Sequence, residues 1–305
     1  MQKTLKTSVT FEGITLHEGK HVRLTIMPGG INSGIVFIRD DLETHNEIPA
    51  TWKAVVHRPF CTLIQNNYGA SVSTIEHLMA AFSALDIDNV RIHINGPEVP
   101  VMDGSSFPFV LAFTNAGIVE QSAPRTYCTV LKTVRVEKEW GFVELAPSHA
   151  FILDVHMTFQ ERNDMKEQHY TFHRGRDDFN ETIAKARTYG FFEDIEALRK
   201  AGFIKGGTLD NAVVVKDGHV LNPEGLRYED ECVRHKVLDA MGDLYLMNAP
   251  LMGKYTAKNG GHEMNNQLLH ALFSDPKAYR MEGLEPTNEN WEPLTRSILS
   301  SFGLF

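Results

Sequence analysis

Cysteine is scarce in this chain: Cys61, Cys128 and Cys232 are the only three among 305 residues. Their number is odd and they lack C-x-x-C or zinc-finger spacing, which argues against a disulfide framework and fits a reducing, cytoplasmic compartment. No run of 18 apolar residues occurs, so no membrane-spanning helix is expected, although transient contact with a membrane surface stays open. The N-terminus, M-Q-K-T-L-K-T-S-V-T, alternates like a strand and lacks the apolar core of a signal peptide or anchor. Positive charge is also short. Lys and Arg total 30 against 39 Asp and Glu, a net charge of −9, which excludes the basic footprint of a nucleic-acid coat and requires any substrate phosphate to be met locally. What is present, 42% hydrophobic and 23% charged residues, is the composition of a globular protein, and nothing in it implies a stable protein partner. A length of 305 residues exceeds the usual single core and predicts two domains.

The first third alternates apolar and polar residues between Gly, Pro and Asn stops, as in V-T-F-E-G-I-T-L-H and H-V-R-L-T-I-M-P-G-G, and predicts strands. A helix is expected from about Ser73, where Ile75, Leu78, Met79, Phe82 and Leu85 keep the helical period. A second should run through S-S-F-P-F-V-L-A-F-T-N-A and stop at Gly117. The polar stretch Q-S-A-P-R-T-Y, residues 121 to 127, reads as a linker, dividing the chain into 1–124 and 125–305. Strands resume after it, followed by helical patterns at 177–188, 194–202, 229–246 and 265–273. Each half thus gives strands and then a helix with an early histidine, an α+β arrangement suggestive of duplication.

Those two histidines carry the chemistry. His235 and Asp239 lie four residues apart in R-H-K-V-L-D, side by side on a helix, and His77 follows Glu76 in T-I-E-H-L-M. Two imidazoles and one carboxylate make three zinc ligands with a position left open, and Glu76 is placed to act as base. Blander readings exist: the helical pair could be structural, and Ser73-Thr74-Ile75-Glu76 has the form of a capping box. Amide hydrolysis also needs an acid for the leaving nitrogen. His262, on the glycine turn N-G-G-H, is the candidate, with Asp243 to orient it. Lys236 is a candidate phosphate or hydroxyl contact. Thr188, read as ending a helix before Gly190, is a candidate oxyanion donor. The segment 191–214 carries Phe191, Phe192, Ile195, Leu198 and Val214, more apolar surface than a small strand-helix-strand insertion can bury on itself. It either packs on the core or forms a groove for a lipid chain.

Ordered motifs along nearly the whole chain resemble the UDP-3-O-acyl-N-acetylglucosamine deacetylase family of lipid A synthesis: G-I-T-L-H-E-G-K, H-R-P-F-C-T-L, T-I-E-H-L-M-A-A, A-R-T-Y-G-F, V-R-H-K-V-L-D-A-M-G-D and G-H-E-M-N-N. The resemblance implies two similar α+β domains with helices sandwiched between sheets, and a β-α-β insertion in the second at about 189–215. It implies zinc held by His77, His235 and Asp239, with Glu76 as base, His262 as acid, Asp243 as its partner and Thr188 at the oxyanion. It further implies that the insertion passes the acyl chain of a nucleotide-sugar glycolipid, while Phe159 and Lys236 hold the nucleotide-sugar part. A binding module with a structural zinc, or a dehydratase of hydroxyacyl chains, are the rival classes.

Overall fold

A computed structural model describes residues 1–159 and 165–283. The first half builds a five-stranded sheet in the order Val9–Ile14, His21–Pro28, Val90–Ile94, Ile35–Arg39, Glu47–Pro49, antiparallel throughout except for the pairing of Val90–Ile94 with Ile35–Arg39. Alternation decides its faces: Val22, Leu24 and Ile26 are buried while His21 and Arg23 point outward. Three short strands, Val55–Val56, Leu63–Gln65 and Ser71–Ser73, form a second small sheet leading into the first helix.

The second half builds a seven-stranded sheet around Leu251–Lys258, which pairs antiparallel with Gly141–Ala146 and parallel with Phe151–Met157. Six α-helices occur among the described residues: α1 (Glu76–Ala84), α2 (Phe107–Ala116), α3 (Phe179–Thr182), α4 (Phe192–Lys200), α5 (Glu231–Tyr245) and α6 (His262–Ser274). α1 is buried along its whole length and α5 almost so, because they pack on each other in the middle and α5 also lies against Phe151–Met157 and Gln168–His173. This is the expected α+β class, with helices between sheets. One hydrophobic core runs through both halves, from Leu24 and Ile92 to Leu145 and Leu153.

The insertion is a β-α-β unit: Tyr189–Phe191, α4, and Val213–Lys216 parallel to the first strand, with His219–Val220 added at the edge. It docks on the first half. Lys205 and Gly206 N–H donate to His17 and Leu16 carbonyls, and a side chain at Gly206 would collide with the Thr15 carbonyl.

Two local expectations fail for physical reasons. The helix expected over 177–188 lasts one turn, capped by Asp178, because Arg187 is drawn into a buried cluster with Glu231 and the Thr188 backbone bonds instead to Gly104 and Val213. In the stretch 121–127, Arg125 is buried and ion-paired to Asp86 and Asp88. His262 is the first residue of α6 rather than part of the turn before it.

Candidate active site

α1 begins abruptly. Ser73 belongs to a strand, its N–H bonded to the Pro97 carbonyl, so the capping-box reading of Glu76 fails. Thr74 takes a positive φ of 57°, unusual for a β-branched residue, with its hydroxyl bonded to the buried Glu98 carboxylate. The kink sends Glu76 and His77 into the interior at the first turn of α1. Gly242 lets α5 approach there, since a Cβ on it would collide with the Glu76 carbonyl.

His77, His235 and Asp239 come together, their ligand atoms within 4.8 Å of one another and all three side chains buried. Asp239 Oδ1 lies 3.3 Å from His235 Nε2 and 3.7 Å from His77 Nε2. His235 Nδ1 is 3.0 Å from the Ala186 carbonyl, so a proton donated there leaves Nε2 as a lone pair facing the site. The Ala186 carbonyl is fixed in turn by its neighbour Arg187, clamped by Glu231 at the start of α5. Asp239 Oδ2 accepts from Lys236 Nζ at 2.7 Å, whereas Oδ1 is buried without a hydrogen-bond partner among the described residues. A buried carboxylate oxygen left unpaired beside two imidazole lone pairs fits a metal ion.

Charge is tuned around it. Burial, with His235 adding to it, lowers His77 to about 3, and burial lowers His235 too, so both imidazoles are neutral at pH 7, the form that can ligate a metal. Burial alone would raise Asp239, but His235 and Lys236 beside it hold it well below the carboxylate range. Burial pushes Glu76 up to about 8, opposed by His262. For His262 burial pulls downward and Asp243 prevails, raising it to about 9. Its Nδ1 sits 2.8 Å from Asp243 Oδ2, which also accepts from Asn265, while Thr62 Oγ1 donates to Asp243 Oδ1 at 2.5 Å. The Thr62 N–H also holds Glu76 Oε2, so one residue fixes both the carboxylate and the imidazole system. Thr62, Asn265 and the Tyr255 hydroxyl that holds Asn265 were missed by sequence reasoning, although Thr62 and Asn265 stand inside the H-R-P-F-C-T-L and G-H-E-M-N-N runs.

A cavity of about 750 Å³ opens from this centre, lined by His262, Thr188 and Lys236 and then by Phe191, Phe192, Ile195, Leu198 and Val214. No residue of α4 is buried, so that helix is not core packing; its apolar side chains face the cavity. His17, Arg58 and Phe60 complete the wall from the first half and were not anticipated. Thr188 lies in coil after α3, not at a helix end. A smaller cavity of about 180 Å³ is lined by Asp239, Lys236, Tyr189, Thr158 and Asn259. Phe159 lines neither cavity; its ring stands edge-on to Phe191 at 6.1 Å.

Fold and site together define an α+β hydrolase built around two histidines and an aspartate that fit a metal cofactor. The chain belongs to the UDP-3-O-acyl N-acetylglycosamine deacetylase family, whose model matches residues 2–274. Proteins named UDP-3-O-acyl-N-acetylglucosamine deacetylase are similar over nearly the full length. That of Tolumonas auensis is 43% identical over 304 residues, 99% of this chain and 97% of the relative. That of Shewanella violacea is 43% identical over 300 residues, covering 98% and 97%.

Proposed function

We propose that this chain is a zinc-dependent deacetylase that hydrolyses the N-acetyl group of UDP-3-O-(3-hydroxyacyl)-N-acetylglucosamine, committing it to lipid A synthesis in the cytoplasm. The observation that carries the reading is the unpaired Asp239 Oδ1 between His77 and His235, beside Glu76 and His262, at one end of an apolar cavity. Zinc held by those three side chains would supply a Lewis acid that makes water nucleophilic at neutral pH.

The protein's own groups perform the proton transfers. Glu76, ionised and held by the Thr62 N–H, takes the proton of the attacking water as its oxygen adds to the acetyl carbon. Thr188, in the cavity wall, is assigned the developing oxyanion. His262, protonated and bonded through Nδ1 to Asp243, gives its Nε2 proton to the sugar nitrogen as the C–N bond breaks, releasing acetate and a free amine. Glu76 as ionised base and His262 as protonated acid divide the two proton transfers. Lys236 and Phe159 are assigned to the nucleotide sugar and the insertion to the acyl chain, with the domain boundary taken at 124/125.

The test compares kcat/KM for acylated and unacylated UDP-N-acetylglucosamine. Burial is worth roughly 0.8 kcal/mol per methylene, so loss of five methylenes should weaken transition-state binding by about 4 kcal/mol. Val214→Glu should lower activity on the acylated substrate far more than it lowers Tm. Equal efficiency on both substrates would remove the acyl assignment of the insertion.

A further inference from the structure

The described residues contain a second set of two imidazoles and one carboxylate, on the outer part of the seven-stranded sheet and outside the centre described above. His156 and His169 are direct cross-strand partners on Phe151–Met157 and Gln168–His173, and Asp154 lies two residues from His156, hence on the same face. The two rings are stacked, centroids 3.8 Å apart. Both present Nε2 to one oxygen: Asp154 Oδ1 is 2.7 Å from His169 Nε2 and 3.5 Å from His156 Nε2. The ligand atoms of all three residues lie within 4.8 Å of one another.

We propose that Asp154, His156 and His169 form a second site for a divalent transition metal. A four-coordinate ion with bonds of about 2.0–2.1 Å places its ligands about 3.3 Å apart, and the separations of 2.7 and 3.5 Å bracket that edge. The likeness to the buried centre extends to the other carboxylate oxygen. Asp154 Oδ2 is held by Lys254 Nζ at 2.6 Å, as Asp239 Oδ2 is held by Lys236, so in both clusters a lysine fixes the carboxylate while Oδ1 turns toward two Nε2 atoms. Binding replaces the proton shared by His169 and Asp154 with the metal, and Thr171, whose hydroxyl donates to Asp154 Oδ1 at 3.2 Å, stays beside the ligand set. The histidine side chains are half exposed, at 49% and 50%, so water completes the coordination and the ion exchanges with solvent. Imidazole with carboxylate selects zinc, nickel or copper over magnesium or calcium.

The test is a Zn²⁺ titration of the full chain, first dialysed to constant metal content, followed by calorimetry and elemental analysis. Unmutated protein should bind one further equivalent, and Mg²⁺ should not compete for it. Removing an outer-shell partner already costs metal sites 10- to 100-fold, so His169→Ala, which removes a ligand, should weaken this event by at least about tenfold. Asp154→Asn should weaken it likewise. Metal retained after dialysis and deacetylase activity should be unchanged in His169→Ala. Absence of a further equivalent in unmutated protein would overturn the proposal, as would its persistence at unchanged affinity in both variants.

Discussion

Asp86, just past the end of α1, and Asp239, midway along α5, are buried carboxylates of one helix pair, yet their surroundings treat them in opposite ways. Asp86 faces three cations: Oδ1 accepts from Arg125 at 2.5 Å and Arg174 at 2.6 Å, and Lys3 lies 3.8 Å from Oδ2. Burial alone would raise its pKa, but Arg174, Arg125 and Lys3 hold it at about 2. Its partners come from the N-terminus, the 121–127 stretch and Arg174, just after the strand Gln168–His173, so this charge fastens distant parts of the chain together. Asp239 has one oxygen on Lys236 and the other without a hydrogen-bond partner among the described residues. An unpaired buried oxygen costs folding free energy, and in this fold that cost falls where two imidazoles can share a cation with it. Asp86, facing three cations, ties chain segments together; Asp239, incompletely paired among the described residues, is the candidate metal ligand.

Exchanging the consequences of the two residues is the way to break this contrast. The largest effect is expected from Asp239→Ala, which should abolish deacetylation while leaving a folded protein, read by activity beside circular dichroism. Next come Glu76→Gln and His262→Ala, each expected to lower kcat by about 10²–10⁴-fold with metal retained. Activity in the unmutated protein should be bell-shaped with pH. Glu76 must be ionised; burial raises its carboxyl to about 8 and a bound cation would lower it from there, so its limb lies below about 8. His262 must be protonated, so activity falls as pH rises toward about 9, and His262→Ala should remove that alkaline limb.

Asp86→Ala should do the reverse of Asp239→Ala, destabilising by about 3–5 kcal/mol in denaturant titration because two buried guanidiniums lose their partner, with kcat unchanged in the fraction that folds. The Asp86 pKa is depressed, so its stabilisation is complete above the ordinary carboxyl value and is lost as pH falls toward about 2. The smallest effect should come from Tyr245→Phe, which removes a hydroxyl bonded to Arg125 and to the Ile87 carbonyl and should cost about 1 kcal/mol.

Much of this was legible in residue order. The helical period found α1 and α5, and the spacing of His235 and Asp239 placed two candidate ligands on one face, because both signals are local. The strand Leu251–Lys258 escaped notice although it is central, since Gly253 and Ala257 among its inward residues carry little β-preference and only pairing on both sides makes it a strand. The helix expected over 177–188 failed for a related reason. Burial of Arg187 against Glu231, 44 residues away, outweighs local propensity. Thr62 likewise meets Asp243 across 181 residues, a distance no periodicity encodes.

Metal content per folded chain, determined by elemental analysis after exhaustive dialysis for unmutated protein, Asp239→Asn and Asp86→Asn, tests the central contrast most directly. One tightly held ion is expected in the unmutated protein and in Asp86→Asn, and none in Asp239→Asn. An Asp239→Asn protein that keeps its full equivalent of metal would contradict that expectation.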